Sequence, residues 1–367
     1  MRDENAQQLL AKVMAWNDDA SVRRYVPDLQ LLADYKYDHY QRFGPGKRFV
    51  ESLALWLNQF GSADRQAALD FVVKQLIYFS DREFSHLVQS AHPDLIIQER
   101  IRIVAEEQDI APHRVGTIMR NRRFQELGLK SLYLGLSDGA RTNELRRASN
   151  GEISNEQIWQ AYELGSEKSS DMSAELASSL SKERFPAHNS KFNMIWLLDD
   201  FSGSGNTYIR FDSETGKYKG KIKKIYEQLH KGELVDTTHY EVFLLLYVAT
   251  RQAIDHIEYW AERFTSENNY KPLQVRVLCP IEQSDAIIPG TDDLSRLLAN
   301  PNYVDQSAVD RHFLIGGTND AAWGFAGCAL PVVLSHNTPN NSLYILWGSE
   351  TSSFHGLFPR VSRHREF

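Results

Sequence analysis

Apolar residues recur at helical spacing near the start of the chain. The residues that carry this pattern are Phe49, Leu53, Trp56, Leu57 and Phe60. Their spacing places them on one side of a predicted helix. Residues 68–79 are apolar on most sides, so we expect a second, buried helix there.

Helix-capping residues extend this pattern toward the middle of the chain. Ser80 and Asp81 precede a helix predicted over 83–91, and Pro93 begins another helical stretch. We therefore predict a helical N-terminal region that spans 1–127. Because this region contains no recognisable motif, it suggests a surface for a partner or for a homo-oligomer.

Beyond residue 128 the pattern changes to short, near-continuous apolar runs. The four runs cover 131–136, 194–198, 242–249 and 275–279. Helical stretches lie between several of them, notably 252–264. Such alternation is typical of an α/β fold with a parallel sheet and helices on both faces. A ligand site in such a sheet lies beyond the carboxyl ends of the strands.

Two polar stretches interrupt the runs. The first, 149–190, contains an amphipathic piece at 153–164 and is otherwise weakly patterned, which favours a mobile loop or lid. The second begins at about residue 281 and is rich in Pro, Gly and Asn. It has short strand-like runs at 331–335 and 343–347, joined by the turn-forming sequence HNTPNNS. We predict one domain over 128–367 that includes both stretches.

Composition indicates a globular protein, with 42% hydrophobic and 24% charged residues among 367. No apolar run reaches the roughly 18 residues of a membrane helix, and no secretory signal is recognisable. We therefore expect a cytoplasmic protein that does not act at a membrane. Cys279 and Cys328 lie in apolar stretches, so we expect two reduced core residues, and no Cys/His spacing indicates zinc.

The formal net charge of −7 argues against binding of duplex nucleic acid over the whole surface. Two local basic segments remain, a lysine-rich segment at 217–224 and the tail at 360–365. Each is a candidate nucleic-acid contact, and a solvated charged face is the alternative for both.

The most informative segment is 194–207, with the sequence MIWLLDDFSGSGNT. Its apolar run ends in an acid pair, Asp199 and Asp200, whose carboxylates can accept hydrogen bonds from vicinal ribose hydroxyls. A glycine loop follows, made of Ser202, Gly203, Ser204, Gly205, Asn206 and Thr207. Its backbone N–H groups and hydroxyls suit a phosphate, and we expect the next segment to present a helix N-terminus. A Walker A loop needs a lysine at the position of Asn206, so the sequence argues against a nucleotide triphosphatase of that class.

A second polar loop follows the apolar run at 131–136. This upstream loop consists of Ser137, Asp138, Gly139, Ala140 and Arg141. Its backbone N–H groups and its guanidinium group suit a second anionic group. An ordinary turn with a solvent-exposed arginine is the alternative.

The segment 195–207 resembles the phosphoribosyl-pyrophosphate motif of type I phosphoribosyltransferases, and LGLSDGAR at 134–141 resembles their pyrophosphate loop. The resemblance implies a parallel sheet flanked by helices and a Mg²⁺-dependent reaction at ribose C1′. Asp199 and Asp200 would hold the ribose hydroxyls and, through them or through water, the metal. The glycine loop would hold the 5′-phosphate and the upstream loop the pyrophosphate, with Arg141 catalytic. The segment 149–190 would contain the flexible loop, and 281–367 a hood-like region.

The resemblance is closer to the phosphoribosyltransferase-like proteins of bacterial conflict systems, which share DDFSGSGNT, SHNTPNNSLYILWG and LFPR with this chain. It implies a toxic effector of a retron antiphage unit that acts on phosphoribosyl pyrophosphate or a related nucleotide. Implied partners are a reverse transcriptase with its RNA–DNA product and a winged-helix protein.

Two alternatives stay open from the sequence. One is a catalytically weak nucleotide-binding module that docks to a reverse transcriptase–nucleic acid complex, with His336–Asn341 as a contact surface or, failing that, a hairpin turn. The other is a salvage phosphoribosyltransferase. Gly203 argues against it, because salvage enzymes carry at this position an acid that helps to bind the purine. His336 and His355 are candidate general bases or ordinary packed residues.

Overall fold

The computed structural model describes residues 2–46, 48–161, 166–311 and 313–360. The helices are α1 (Asp3–Val13), α2 (Asp19–Tyr35), α3 (Phe49–Leu57), α4 (Arg65–Lys74), α5 (Asp81–Ala91), α6 (Ile97–Glu107), α7 (Val115–Met119), α8 (Arg122–Leu129), α9 (Thr142–Ala148), α10 (Ser166–Lys182), α11 (Lys221–Lys231), α12 (Arg251–Glu267), α13 (Asp293–Leu298) and α14 (Tyr344–Trp347). The strands are β1 (Ile77–Phe79), β2 (Ser131–Gly135), β3 (Ile158–Gln160), β4 (Met194–Ser202), β5 (Arg210–Asp212), β6 (Lys217–Lys219), β7 (Glu241–Thr250), β8 (Leu273–Ile281) and β9 (Val332–Leu334). Among the described helices, none has the length and apolarity needed to cross a membrane.

The chain divides into two compact units, 1–84 with 282–367 and, separately, 85–281. The division differs from the domain boundary expected at 127/128, because the helices from α6 to α8 belong to the unit that contains the large sheet. In the other unit the N-terminal helices share an apolar core with the C-terminal segment. Phe358, for example, stacks on Phe49 with ring centroids 5.7 Å apart.

A five-stranded parallel sheet forms the centre of the 85–281 unit. Its strand order is β3-β2-β4-β7-β8, and every neighbouring pair is parallel. The four apolar runs in the sequence are β2, β4, β7 and β8, and helices flank the sheet. The predicted α/β fold with a parallel sheet is therefore confirmed. Because β2 and β4 are adjacent, the loops that follow them meet at one edge of the sheet.

The segment 149–190 contains more regular structure than its polar sequence suggests. It contributes the edge strand β3 and the 17-residue helix α10, whose Met172, Leu176 and Leu180 are buried in the core. The amphipathic piece at 153–164 forms a 3₁₀ turn and β3, and its residues 162–165 lie outside the described part of the chain. Closure of a loop from this segment over the site stays a prediction.

Two elements of the other unit differ from the sequence predictions. The helix expected over 68–79 ends at Lys74, and the strand β1 follows, parallel to β9. The run at 343–347, expected as a strand, forms the short helix α14, where the indole N–H of Trp347 donates to the Ser342 carbonyl over 2.8 Å. The partners of both elements are distant in sequence, since β1 pairs with β9 and the Tyr344 N–H at the start of α14 donates to the Ala322 carbonyl over 3.1 Å.

His336–Asn341 begins in a tight antiparallel turn, where Leu334 and Asn337 exchange backbone hydrogen bonds of 3.2 and 3.0 Å, and two of its residues are buried in the core of their unit. Thr338 is fully buried, and its hydroxyl donates to the Phe358 carbonyl over 2.7 Å. The Asn341 amide, 9% exposed, donates to the Phe325 carbonyl over 3.2 Å. These hydrogen bonds explain why the segment is rich in Asn and Thr. The helix α14 follows it, where the sequence predicted a second strand.

Candidate functional site

The acid pair lies at the end of β4, where the strand emerges from the core. Residues 194–199 are buried, and Asp199 is 2% exposed. Asp200 is partly exposed. Because adjacent residues of a strand point to opposite faces, the two carboxylates have different surroundings.

Three side chains donate hydrogen bonds to the Asp199 carboxylate. The Ser137 hydroxyl donates to Oδ1, the Tyr208 hydroxyl donates to Oδ2 over 2.8 Å, and the Lys221 ammonium donates to Oδ2 over 2.9 Å. Burial and the negative charge of Asp200 raise the pKa of the Asp199 carboxyl, and the ammonium group of Lys221 opposes this rise. Burial beside Asp199 also raises the pKa of Tyr208.

Asp200 faces the upstream loop at very close range. The Phe201 N–H donates to its Oδ1 over 2.9 Å. A β-carbon built at Gly139 would overlap the Asp200 carboxylate. Glycine at this position therefore allows the backbone of the upstream loop to lie against the carboxylate. Two contacts therefore join the upstream loop to the acid pair, one between Gly139 and Asp200 and one between Ser137 and Asp199.

Hydrogen bonds from the sheet hold the upstream loop in place. The Leu136 N–H donates to the Leu198 carbonyl over 2.9 Å, and the buried Tyr247 hydroxyl donates to the Ala140 carbonyl over 3.0 Å. Asp138 is exposed at the tip. Arg141 has a left-handed backbone with φ of 48°, and its guanidinium group lies 3.3 Å from the Glu144 carboxylate. The guanidinium group is thus paired with a carboxylate at the start of α9.

The glycine loop follows the acid pair and is fixed from α12. The Thr250 hydroxyl donates to the Gly203 carbonyl over 2.6 Å and also caps α12 by accepting from the Ala253 N–H. Ser204 is buried and Thr207 is exposed. Holding the loop against a helix N-terminus orients its backbone before a ligand arrives.

No helix follows the glycine loop directly, which corrects the sequence expectation. The antiparallel hairpin β5–β6 comes next, and α11 begins only at Lys221. The Lys221 N–H donates to the Thr207 carbonyl over 3.2 Å, so the helix still starts beside the loop. The hairpin is an insertion between the two, and Gly220, with φ of 125°, makes the turn into the helix.

Gly205→Ala is expected to distort the glycine loop. Gly205 has φ of 77°, and a β-carbon there would lie 2.9 Å from the Ala253 carbonyl oxygen. We expect a loss of at least about 2 kcal/mol in the free energy of unfolding, measured by urea denaturation. Gly216→Ala is the matched control, because Gly216 has φ of 64° with no neighbour within 4 Å. Equal losses in both variants would show that the contact with α12 does not constrain the loop.

Four residues of the site were not found from the sequence: Tyr208, Lys221, Tyr247 and Thr250. Lys221 lies in the lysine-rich segment, whose pattern is typical of a solvated face, so the sequence does not distinguish it from the neighbouring lysines. The one available signal was Gly220, which marks a turn in front of it. Tyr247 and Thr250 lie within or just after an apolar run, and Tyr208 lies directly after the glycine loop; a single hydroxyl at such a position forms no sequence pattern.

The acidic residues fit a magnesium ion that is held mostly by substrate and water. Among the described residues, no group of three or more His, Cys, Asp or Glu side chains could hold a metal. Mg²⁺ commonly keeps several waters and uses one or two carboxylates together with substrate phosphates. The partly exposed Asp200 carboxylate is the better placed of the pair for such a contact.

Comparison with known proteins agrees with this architecture. A model of the PRTase-CE family matches residues 53–360, which include the whole five-stranded sheet, the upstream loop and the glycine loop. No curated protein and no solved structure matches the chain. The match covers most of the sequence, and the chain therefore belongs to the PRTase-CE family, a phosphoribosyltransferase-like family.

Proposed function

We propose that this protein binds phosphoribosyl pyrophosphate or a related nucleotide with Mg²⁺ and transfers or cleaves at ribose C1′. The observation that carries the proposal is the meeting of two loops at the ends of adjacent strands, with Gly139 against Asp200 and Ser137 against Asp199. In this arrangement the Asp200 carboxylate, which can accept hydrogen bonds from two ribose hydroxyls, lies beside two loops rich in backbone N–H groups. The family assignment supports the same class of reaction.

The two acids have different tasks in this proposal. Asp200 is partly exposed and accepts hydrogen bonds from the ribose hydroxyls. Asp199 is buried and accepts hydrogen bonds from three side chains, so it positions Ser137, Tyr208 and Lys221 at the candidate site. The Asp200 N–H also donates to Asp199, over 3.1 Å, and a carboxylate that accepts four hydrogen bonds has little capacity left for a ligand.

The loops supply the remaining contacts. The glycine loop binds the 5′-phosphate through its backbone, and the upstream loop with Arg141 stabilises negative charge on the departing pyrophosphate. When bound, Mg²⁺ would supply further positive charge at the pyrophosphate oxygens. As the bond to the leaving group breaks, C1′ forms a bond to the acceptor in the transfer reaction or to water in the cleavage reaction.

The biological role we propose is that of a toxic effector in a retron antiphage unit. The support is the close sequence resemblance to phosphoribosyltransferase-like proteins of bacterial conflict systems, which extends to both loops and to the C-terminal segment. A reverse transcriptase with its RNA–DNA product and a winged-helix protein are the proposed partners.

A binding module without turnover is the second candidate. The engagement of Asp199 by Lys221 favours it, because the acid pair is partly neutralised by the protein's own cation. Such a site would bind a nucleotide and leave it unchanged.

The test is incubation of the purified protein with phosphoribosyl pyrophosphate or nucleotides, with and without Mg²⁺. Free bases, nucleotides and single-stranded oligonucleotides serve as acceptors, and mass spectrometry detects pyrophosphate and modified acceptors. The proposed enzyme releases pyrophosphate or a free base. Saturable binding by calorimetry without any product would support the binding module. Absence of both binding and product would contradict the proposed site.

A further inference from the structure

An aromatic surface lies on the hairpin β5–β6 and the adjoining helix α12. The Phe211 ring stacks on Trp260 with centroids 5.8 Å apart and planes 10° apart. Tyr259 meets Trp260 edge-on at 5.0 Å, and Tyr218 packs behind them. Phe211 is 38% and Tyr259 53% exposed. Large rings exposed side by side are unusual on a surface that binds nothing.

Cationic side chains border the aromatic surface. The Arg263 guanidinium carbon lies 5.4 Å from the Trp260 ring centroid and 5.8 Å from that of Tyr259. Lys217 and Lys219 are exposed on β6, where Lys219 also pairs with Asp212. Residues 210–224 contain six Lys or Arg and two Asp or Glu, in a chain whose net charge is −7. Lys221 pairs with Asp199 at the candidate site, and Arg263 lies 3.9 Å from the Glu267 carboxylate. The net positive charge of the hairpin therefore comes mainly from its other Lys and Arg residues, against the trend of the whole protein.

We propose that this surface binds single-stranded nucleic acid. The exposed faces of Phe211 and Tyr259 accept unpaired bases by stacking, and Lys217, Lys219 and Arg263 contact the phosphates. A duplex keeps its base faces stacked inside the helix and so cannot use the rings. The combination of exposed rings and a cationic border is the chemistry that binds single strands without sequence preference.

A side chain of the hairpin connects the aromatic surface to the candidate site. The Arg210 guanidinium donates to the Asn206 carbonyl of the glycine loop over 3.0 Å. A nucleic-acid strand that binds to the hairpin would thus lie beside the glycine loop. The inference goes beyond the proposed function, since binding of the strand does not require the acid pair.

The test is fluorescence anisotropy of a labelled short oligothymidylate with the full chain over a range of salt concentrations. We expect binding that weakens with salt and is tighter than binding of a duplex of the same length. Phe211→Ala and Tyr259→Ala should each weaken binding about tenfold. Phe211→Leu should weaken it as well, and Phe211→Trp should retain it. Lys217→Ala with Lys219→Ala should reduce the slope of log affinity against log salt by roughly 0.7 for each lysine.

Matched controls separate this surface from general effects. Tyr35→Ala removes an exposed ring elsewhere, and Lys182→Ala with Lys231→Ala removes two exposed lysines elsewhere. Neither control should change binding, and circular dichroism checks that each variant folds. Asp200→Asn should also leave binding unchanged, so failure of the proposed function would not affect this result. Absence of binding at low salt, equal affinity for duplex, or full affinity in Phe211→Leu would overturn the proposal.

Discussion

Asp200→Asn is expected to abolish Mg²⁺-dependent donor binding and turnover while the protein stays folded. The substitution keeps the shape of the side chain and removes the charge that accepts hydrogen bonds from ribose hydroxyls. A hydrogen bond to a charged group contributes about 1.5–3 kcal/mol, so the loss of two corresponds to an affinity decrease of roughly 100-fold or more. Calorimetry with the donor and Mg²⁺ measures binding, and pyrophosphate release measures turnover.

The stability of the Asp200→Asn variant distinguishes a functional effect from a structural one. Asp200 is partly exposed, so we expect a change in the free energy of unfolding within about 0.5 kcal/mol. Asp171→Asn on the exposed face of α10 is the matched control and should change neither binding nor stability. In cells, the Asp200→Asn variant should lose any toxicity that depends on the site. Donor binding equal to that of the unmodified protein would remove Asp200 from the site.

The sequence was sufficient to predict four of the five strands of the sheet and the two loops that form the candidate site. The runs of β2, β4 and β7 are apolar because both faces of these strands are covered, whereas β8 is only partly buried at the edge of the sheet. The acid pair interrupts the run of β4 abruptly. Burial on both faces produces a strong sequence signal, and an acid at the end of a buried run has few structural explanations. These are the features that a single sequence records well.

Features that depend on distant partners were not predictable. The short strand β3 has one neighbour and no long apolar run, so its polar context favoured a loop. β1 continues the apolar pattern of α4, and only its pairing with β9 makes it a strand. The division into units at 84/85 likewise depends on the return of the C-terminal segment to the N-terminal helices.

The role of Lys221 illustrates the same limit within the site. In the sequence it is one of several lysines, and in the structure its ammonium group forms an ion pair with the buried Asp199 carboxylate. Its neighbour Lys223 pairs with Glu227 on the exposed side of α11. Which lysine of the segment turns inward is decided by the start of the helix, and the hairpin insertion sets that start.

Lys221→Met should therefore destabilise the protein strongly near neutral pH. It leaves Asp199, 2% exposed and next to Asp200, without its counter-ion. Removing one partner of a buried pair typically costs 3–5 kcal/mol. Since the Lys221 side chain is 30% exposed, we expect about 3 kcal/mol, measured by urea denaturation without Mg²⁺. Lys223→Met is the matched control, and its surface pair should contribute less than about 1 kcal/mol.

The effect of Lys221→Met should also depend on pH in a defined direction. The pKa of Asp199 is raised in the folded protein, so the folded state holds this proton at pH values where the unfolded chain has lost it. The contribution of Asp199 to stability is then complete below its unfolded pKa and is lost as the pH rises through the folded pKa. Removing the ammonium group raises the folded pKa further. The difference between Lys221→Met and the unmodified protein should thus shrink as the pH falls.

A double variant tests whether the ion pair itself causes this effect. Asp199→Asn combined with Lys221→Met removes both charges, so it should recover most of the stability lost in Lys221→Met near neutral pH and lose the pH dependence. Stability equal to that of the unmodified protein in Lys221→Met at every pH would mean that Asp199 is already neutral in the folded state. In that case Lys221 would be available to a ligand phosphate, and Asp199 would act as a hydrogen-bonding residue rather than as a charge.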